Sequence, residues 1–151
     1  MADYGVVVAT RLATLPQGEL RSGSALAAET GLPQPTVAKV LKALTRASLV
    51  ESVRGARGGY RLTREPSAVH VAAVIAAIEG PIGITECGIE ESHADCTLTD
   101  HCDVRGNWQL INNAILSALE GVTLEQMTSP PKPMLITLGR SRPESVNKAL
   151  T

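Results

Sequence analysis

The stretch LAAETGLPQPTVAKVLKALTRASLVESVRGARGGYRL, residues 26–62, decides the fold of this chain. Its first part belongs to a short helix that Ser22 or Ser24 can cap and that Gly31 can end, because glycine readily takes the left-handed conformation of a helix C-terminus. Pro35 then stands near the start of a second helix, where its missing N–H leaves no partner unpaired. The spacing therefore predicts two helices joined by a very short turn.

The second of these helices, running to about Ser48, has one apolar and one basic face. Its apolar residues recur at steps of three and four, which places them on one side of a helix: Val37, Val40, Leu41 and Leu44. The other side carries Thr36, Lys39, Lys42 and Arg46. This pattern is typical of a helix-turn-helix, whose second helix enters the major groove of DNA. An ordinary helical hairpin with a solvated outer face is the alternative.

A glycine-rich hairpin follows the two helices. Residues 49–53 and 60–62 are predicted to be strands, and the connection RGARGG at residues 54–59 carries two arginines. Glycines let such a loop lie close to a phosphate backbone, and a narrow minor groove attracts an inserted arginine. A nucleotide-phosphate loop is disfavoured, because its lysine motif and the helix directly behind it are missing. The predicted DNA contacts are Gln34, Thr36, Lys39, Lys42, Arg54, Arg57 and Arg61.

Charge is segregated along the chain in the way that a DNA-binding front half requires. The 151 residues have a net charge of −1, but residues 1–64 hold nine Lys or Arg against four Asp or Glu. Residues 65–129 hold one base against ten acids, and residues 130–151 have a balance of +3. A basic segment binds a polyanion by releasing condensed counterions, whereas an acidic segment is repelled. A chance distribution of surface charge is the alternative.

Length and composition indicate one soluble domain with at most an appended element. The chain contains no run of about eighteen apolar residues and lacks the order of a signal peptide at its N-terminus, so a cytoplasmic location is expected. Aromatic residues make up only 2% of the chain. The core must therefore be built from Ala, Val, Leu and Ile, which favours closely packed helices.

Two further helices are predicted outside this unit. Residues 3–15 indicate a largely buried helix that Asp3 can cap and Pro16 can end. A helix that starts near Trp108 carries a broad apolar stripe, which includes Trp108, Leu110, Ile111, Ala114, Ile115, Ala118 and Leu119. Such a surplus apolar face is typical of a dimer surface, and packing onto the parent domain is the alternative.

Three cysteines lie in one stretch of the chain: Cys87, Cys96 and Cys102. Structural disulfides are disfavoured, because the count is odd and the expected compartment is reducing. The surrounding segment is polar and without periodicity, which disfavours buried apolar thiols and suggests that a bound metal orders it. Zinc and an iron–sulfur cluster are the soft-ligand options. The wide spacing favours a cluster, because zinc sites usually have a close cysteine pair.

The run at residues 26–62, above all its GGYRL ending, resembles the winged helix-turn-helix of the Rrf2 family of bacterial transcription regulators. The resemblance continues through a helix ending in AIEGP and through the cysteine segment, and covers roughly residues 3–128. DYGVVVATRLA, GPIGITEC and CDVRGNWQLINNAI are similar to the branch that regulates the SUF iron–sulfur assembly system. The resemblance implies a mostly α-helical fold with a small β-hairpin wing and a long C-terminal dimerisation helix.

The resemblance also implies that the three cysteines hold an iron–sulfur cluster, 2Fe-2S in preference to 4Fe-4S. The gap between Cys87 and Cys96 is longer than the one usual in the family. Some relatives complete the site with a histidine, but the matching position here is Arg105, which cannot become a ligand. Others use an acid from the first helix of the second subunit, which matches Asp3 here. Nearby alternatives are His93, Asp100 and His101.

The expected organisation has four parts: a DNA-binding domain at 1–80, a cluster-binding cysteine loop at 81–105, a dimerisation helix region at 106–128 and a flexible tail at 129–151. The expected function is that of a homodimeric regulator that binds a double-stranded DNA operator, senses iron–sulfur or redox status and controls iron–sulfur assembly genes. Neither a membrane nor a small-molecule substrate is expected as a partner.

Two other classes of protein stay open. One is a cluster-free regulator of the same family, controlled by a protein partner or by thiol oxidation. The other is a thiol enzyme that uses Cys102 beside His101. An enzyme is disfavoured, because adjacent residues rarely present a nucleophile and its base face to face and no third orienting group is evident.

Overall fold

The computed structural model of the chain describes residues 1–85 and 102–129. Its elements, in chain order, are α1 Ala2–Ala13, α2 Gly23–Thr30, α3 Gln34–Arg46, β1 Val50–Val53, β2 Gly59–Leu62, a 3-10 turn Pro66–Ala68, α4 Val71–Glu79, α5 Arg105–Glu120 and α6 Leu124–Thr128. The predicted fold class, mostly helical with a small antiparallel hairpin, is confirmed. The predicted tail, apart from Ser129, lies outside the described residues.

Helices α2 and α3 begin and end where the sequence places their signals. The Ser22 side chain accepts a hydrogen bond of 3.1 Å from the backbone N–H of Ala25, so Ser22 rather than Ser24 caps α2. Gly31 ends α2 with a left-handed φ of 69°. Helix α3 begins at Gln34 with a proline in its first turn. The two helices form the predicted helix-turn-helix.

The core lies around α1 and α3. Helix α1 packs against α3, α4 and α6, and α3 also packs against α2, α4 and β1. The buried core residues are all Ala, Val or Leu, as the composition predicts: Val8, Ala9, Leu12, Leu26, Ala27, Val37, Val40, Leu41, Leu44, Val50, Val69, Val74 and Leu124. Small side chains of this kind allow neighbouring helices to approach closely.

Helix α1 differs from its prediction at its start and on its outer face. It begins at Ala2, so Asp3 lies inside the first turn and the expectation that Asp3 caps the helix is wrong. There the carboxylate acts on the positive end of the helix dipole instead. Tyr4 is 40% exposed and Val7 44% exposed, because the neighbouring elements cover the opposite face of the helix. The expected largely buried helix is therefore amphipathic.

The hairpin is joined to the helical body through its second strand. β1 and β2 pair antiparallel with Glu51 opposite Arg61. On the other edge of β2, the backbone N–H of Arg21 donates to the Tyr60 carbonyl at 3.0 Å and the Tyr60 N–H donates to the Arg21 carbonyl at 2.9 Å. The chain before α2 thus extends the sheet by one short contact.

Close backbone contacts explain the two glycines of the GGYRL ending. A Cβ atom at Gly59 would lie 2.8 Å from the carbonyl oxygen of Arg21. A Cβ atom at Gly58 would lie 2.2 Å from the carbonyl oxygen of Val53. Both distances are far below van der Waals contact and involve backbone atoms, so no side chain fits at either position without moving the hairpin.

After α5 the chain returns to the helical core. The Val71 N–H donates to the Val122 carbonyl and the Leu124 N–H donates to the Val69 carbonyl, both at 2.9 Å. Leu124 is fully buried, so α6 shares one core with α1. The sequence pattern does not predict α6 or the 3-10 turn, because each is too short to display a helical period. Among the residues that the structure describes, no helix is long and apolar enough to cross a membrane.

Ser48 holds the turn between α3 and β1 in a left-handed conformation, with a φ of 58°. A residue with a side chain costs about 1–2 kcal/mol in this left-handed conformation, and glycine avoids that cost. Part of the gain is offset because glycine gives the unfolded chain more conformational entropy. We therefore expect Ser48→Gly to raise the free energy of unfolding by about 0.5–1 kcal/mol in urea denaturation. Ser67→Gly, at an exposed position of the 3-10 turn, should lower it. Equal effects of the two substitutions would contradict this account.

Candidate nucleic-acid interface

Helix α3 presents the predicted polar face to solvent. Its apolar face is buried against the neighbouring elements, which fixes the orientation of the helix. Gln34, Lys39 and Lys42 are exposed, and Thr36 is half-buried. An exposed helix with amide, hydroxyl and ammonium groups on one side has the size and chemistry that the major groove accepts.

The wing places two arginines at its exposed tip. Arg54 and Arg57 stand in the loop between β1 and β2, and both are exposed. The loop closes through a hydrogen bond of 2.9 Å from the Gly58 N–H to the Gly55 carbonyl, and Gly55 takes a positive φ of 121°. The tip is therefore narrow, carries two guanidinium groups and has little bulk to hinder approach to a phosphate backbone.

Ion pairing divides the nine basic residues of the front half into two groups. Arg11, Arg21 and Arg61 are paired with the carboxylates of Glu29, Glu19 and Glu51. The other six have no ion pair within the part of the chain that the structure describes: Lys39, Lys42, Arg46, Arg54, Arg57 and Arg64. Five of these six lie on α3 and the wing, so the unneutralised charge coincides with the predicted DNA-contacting surface.

The paired group is held between helices. The Arg11 Nε–H on α1 donates to the Glu29 carboxylate on α2 at 2.7 Å, and Arg21 Nε lies 3.3 Å from the same carboxylate. The hydrogen bond from Arg11 lowers the pKa of Glu29, and the two positive charges act in the same direction. Glu29 is therefore ionised at neutral pH and neutralises positive charge on Arg11 and Arg21.

Arg61 is placed differently from the other predicted DNA contacts. Its Nε–H donates to the carboxylate of Glu51 on the opposite strand, and its Nη1 donates to the Gly18 carbonyl at 3.3 Å. Arg46 and Arg64 are the converse case, because they are exposed and unpaired in the described residues but were not in the predicted set. Their charge is visible in the sequence, but their lack of an acidic neighbour is not.

Two of the predicted cluster ligands fall within the described residues. Cys102 is a free, half-buried thiol just before α5. The side chain of Asp3 is 68% exposed, with one carboxylate oxygen 3.5 Å from the N-terminal ammonium. A free thiol and an exposed carboxylate fit the donor set that an iron–sulfur cluster needs. The other candidate ligands lie outside the described residues: Cys87, His93, Cys96, Asp100 and His101.

Residues 1–85 and 102–129 contain no group of three His, Cys, Asp or Glu side chains that could hold a metal ion on their own. A cluster site on this chain therefore needs ligands from outside these ranges or from a second subunit.

Asn112 attaches the chain before the cysteine segment to α5. It is the buried residue of that helix, at 4% exposure. Its Oδ1 accepts a hydrogen bond of 3.0 Å from the Ile84 N–H, and its Nδ2 donates to the Ile82 carbonyl at 3.4 Å. Sequence reasoning missed this contact. The available signal was an amide side chain within the apolar stripe of α5.

The apolar face of α5 is largely uncovered. Leu110 is 71% exposed and Ile111 is 44% exposed, while Val104 just before the helix is 49% exposed. Helix α5 packs against α4, but this contact leaves these three side chains exposed. A row of exposed aliphatic side chains of this kind is unusual on a monomer and typical of an interaction surface.

Comparisons with known proteins agree with this geometry. The family model Rrf2, described as an iron-dependent transcriptional regulator, matches residues 1–130. Protein aau3 of Rhizobium meliloti (strain 1021) is 33% identical over 113 residues, which cover 75% of this chain and 73% of the relative.

Among solved structures, CymR (YrzC), the global cysteine regulator of B. subtilis, is 29% identical with a TM-score of 0.67, covering 87% of this chain and 95% of that one. IscR of T. potens is 30% identical with a TM-score of 0.62, covering 83% of this chain and 81% of that one. The fold is therefore that of the winged-helix regulators, and the class of protein is a regulator rather than an enzyme. The chain belongs to the Rrf2 family of DNA-binding transcription regulators.

Proposed function

We propose that this chain acts as a homodimer that binds a double-stranded DNA operator and responds to iron–sulfur or redox status through Cys87, Cys96 and Cys102. DNA contact is assigned to Gln34, Thr36, Lys39 and Lys42 on α3 and to Arg54 and Arg57 on the wing. The observation that carries this assignment is the coincidence of unpaired positive charge with α3 and the wing.

The donor chemistry supports an iron–sulfur cluster as the sensing group. The chain offers three cysteines in one segment, and Cys102, the one that the structure describes, is free and half-buried. Asp3 of the partner subunit is the proposed fourth ligand, since this carboxylate is exposed on α1. A bound cluster would supply a redox-active, iron-dependent group, and the matching family model carries an iron-dependent description.

Helix α5 is positioned to connect the cysteine segment with the dimer surface. Asn112 holds the backbone at Ile82 and Ile84 on α5, and Cys102 lies three residues before the start of the same helix. A change in thiolate ligation would therefore act on α5 through the chain that precedes the helix and through the residues that Asn112 holds. We propose that the change in ligation shifts the angle between α5 and the domain that carries α3 and the wing. The proposed targets are iron–sulfur assembly genes of the SUF type, which are repressed when the cluster is present.

The exposed face of α5 supports the dimer and gives a direct test. Replacing Leu110 and Ile111 together by Asp should convert the dimer to a monomer, because burial of each side chain contributes about 1.5–3 kcal/mol and a buried charge opposes association. Light scattering coupled to size-exclusion chromatography measures the mass. Asn113→Asp, at an exposed position of the same helix, should leave the dimer intact. A double variant that stays dimeric would exclude α5 as the interface.

The sensing function is tested by anaerobic purification of the full chain, followed by a visible absorption spectrum and counts of iron and acid-labile sulfide. A 2Fe-2S cluster should give coloured protein with about two irons and two sulfides per subunit. Colourless protein without iron that nevertheless binds duplex DNA would overturn the cluster. It would favour instead a cluster-free regulator controlled by a protein partner or by thiol oxidation.

A further inference from the structure

Arg61 is distinguished from the other basic residues of the wing by its contacts. It stands directly opposite Glu51 in the strand register, and its Nε–H donates to the Glu51 carboxylate. The Nη1 of the same guanidinium donates to the Gly18 carbonyl at 3.3 Å. One side chain therefore links both strands of the hairpin to the turn between α1 and α2.

The turn between α1 and α2, which Arg61 contacts, has a defined backbone conformation. Gly18 takes a positive φ of 82° between α1 and α2. Beyond this turn, the backbone of Arg21 pairs with Tyr60 on β2. The wing consists of two strands of four residues each, and so short a hairpin is only marginally stable by itself. Its orientation therefore depends on these contacts with the helical body.

The charge around Arg61 argues against a phosphate contact. Its guanidinium is neutralised by Glu51, and the two side chains are similarly exposed, at 39% and 44%. A phosphate that approached Arg61 would meet the Glu51 carboxylate beside it and would be repelled. Arg54 and Arg57 have no acidic partner among the described residues.

We propose that Arg61 is a positioning residue, which holds the wing on the α1–α2 turn so that Arg54 and Arg57 reach the DNA, and that it does not itself contact a phosphate. This assignment rests on the DNA contact proposed for the wing tip. It makes Glu51, an acid close to a DNA-binding surface, a contributor to DNA binding.

Glu51→Gln gives the decisive result, because the two roles of Arg61 predict opposite signs. If Arg61 positions the wing, Glu51→Gln and Arg61→Gln should each weaken binding to a mixed-sequence duplex by about two- to fivefold, with an unchanged salt slope. If Arg61 contacts a phosphate, Glu51→Gln should tighten binding, because it removes a repelling acid and frees a cation. Arg61→Gln should then reduce the salt slope by about 1.

Two further variants keep the test clear. Arg61→Lys keeps the charge but loses the fork that reaches Glu51 and Gly18 together, so it should weaken binding as Arg61→Gln does, whereas a phosphate contact would largely tolerate lysine. Arg57→Gln tests the wing tip separately and should lower both affinity and salt slope. If Arg57→Gln acts while both Glu51→Gln and Arg61→Gln have no effect, only the positioning role is overturned. If Arg57→Gln is silent, the wing contact itself is overturned.

Discussion

Replacing Cys87, Cys96 or Cys102 singly by Ala should give largely colourless protein after anaerobic preparation. Each substitution removes one of three thiolates, which are the ligands that hold cluster iron most firmly. The winged domain should still fold, because no cysteine is among the core residues in the described ranges 1–85 and 102–129. Visible absorption with iron and sulfide counts measures the loss, and far-UV circular dichroism checks the fold.

Asp3→Ala should behave differently from the cysteine variants. We expect a cluster that forms but is more labile or has an altered spectrum, because a carboxylate is the hardest and most replaceable ligand of the set, and water or an added thiol can take its place. Asp103→Ala is the matched control, since Asp103 is an exposed acid next to Cys102. It should keep the colour and stability of the parent protein.

The outcomes of this series separate ligation from regulation. A Cys96→Ala protein with full iron and colour would exclude the proposed ligand set. A cysteine variant that loses its colour but binds the operator with unaltered affinity would leave a cluster without a regulatory role. Asp3→Ala and Asp103→Ala proteins with the same stability would remove Asp3 from the site.

The double variant Arg54→Ala, Arg57→Ala should bind duplex DNA about a hundredfold more weakly or worse. Hydrogen bonds to charged groups contribute about 1.5–3 kcal/mol each, and both arginines are exposed without an acidic partner in the described residues. The slope of log K against log salt should fall by about 2, one unit for each lost phosphate contact. Fluorescence anisotropy over a series of salt concentrations measures both quantities. All duplexes should be affected alike, because the lost contacts are not specific for a base.

Arg54→Lys, Arg57→Lys is the control for this double variant. It keeps both positive charges at the wing tip, so the salt slope should stay close to that of the parent while affinity falls only moderately. Lys39→Ala should also cost affinity, since this ammonium group lies on the exposed face of α3. A double alanine variant that binds as tightly as the parent, with an unchanged slope, would show that the wing does not contact DNA.

The helix-turn-helix and the hairpin could be predicted from the sequence because their signals act over a few residues. The Ser22 cap, the left-handed Gly31 and the alternation of faces in α3 are each decided by neighbours within one or two helical turns. The GGYRL ending was recognisable as a pattern, but its physical reason was not. That reason is the close approach of Arg21 and Val53 backbone atoms to the two glycines.

The candidate site also combines local features, which the sequence shows, with long-range contacts, which it does not show. The sequence shows that basic residues dominate positions 1–64, but it does not show which of them are neutralised. Arg11 and Glu29 are 18 residues apart, and Arg61 and Gly18 are 43 residues apart, so these contacts exist only after the helices and the wing have packed. The prediction for Asp3 was wrong by two positions, since Met1 is the N-cap, because no local signal distinguishes an N-cap from a first-turn acid here.

The sequence by itself therefore determined the class of fold, the positions of α3 and of the hairpin, and the cysteine segment as the candidate sensing element. Only the tertiary structure decided that Leu124 joins the core around α1. It also decided that Asn112 binds the backbone of Ile84 and Ile82, which lie 28 and 30 positions earlier in the chain, and that Arg61 is bound to the helical body. The physical reason is the distance along the chain over which each kind of interaction acts. Capping, helical periodicity and turn conformation are set by bonds between near neighbours, whereas burial and ion pairing depend on which distant segments the packed core brings within a few ångströms.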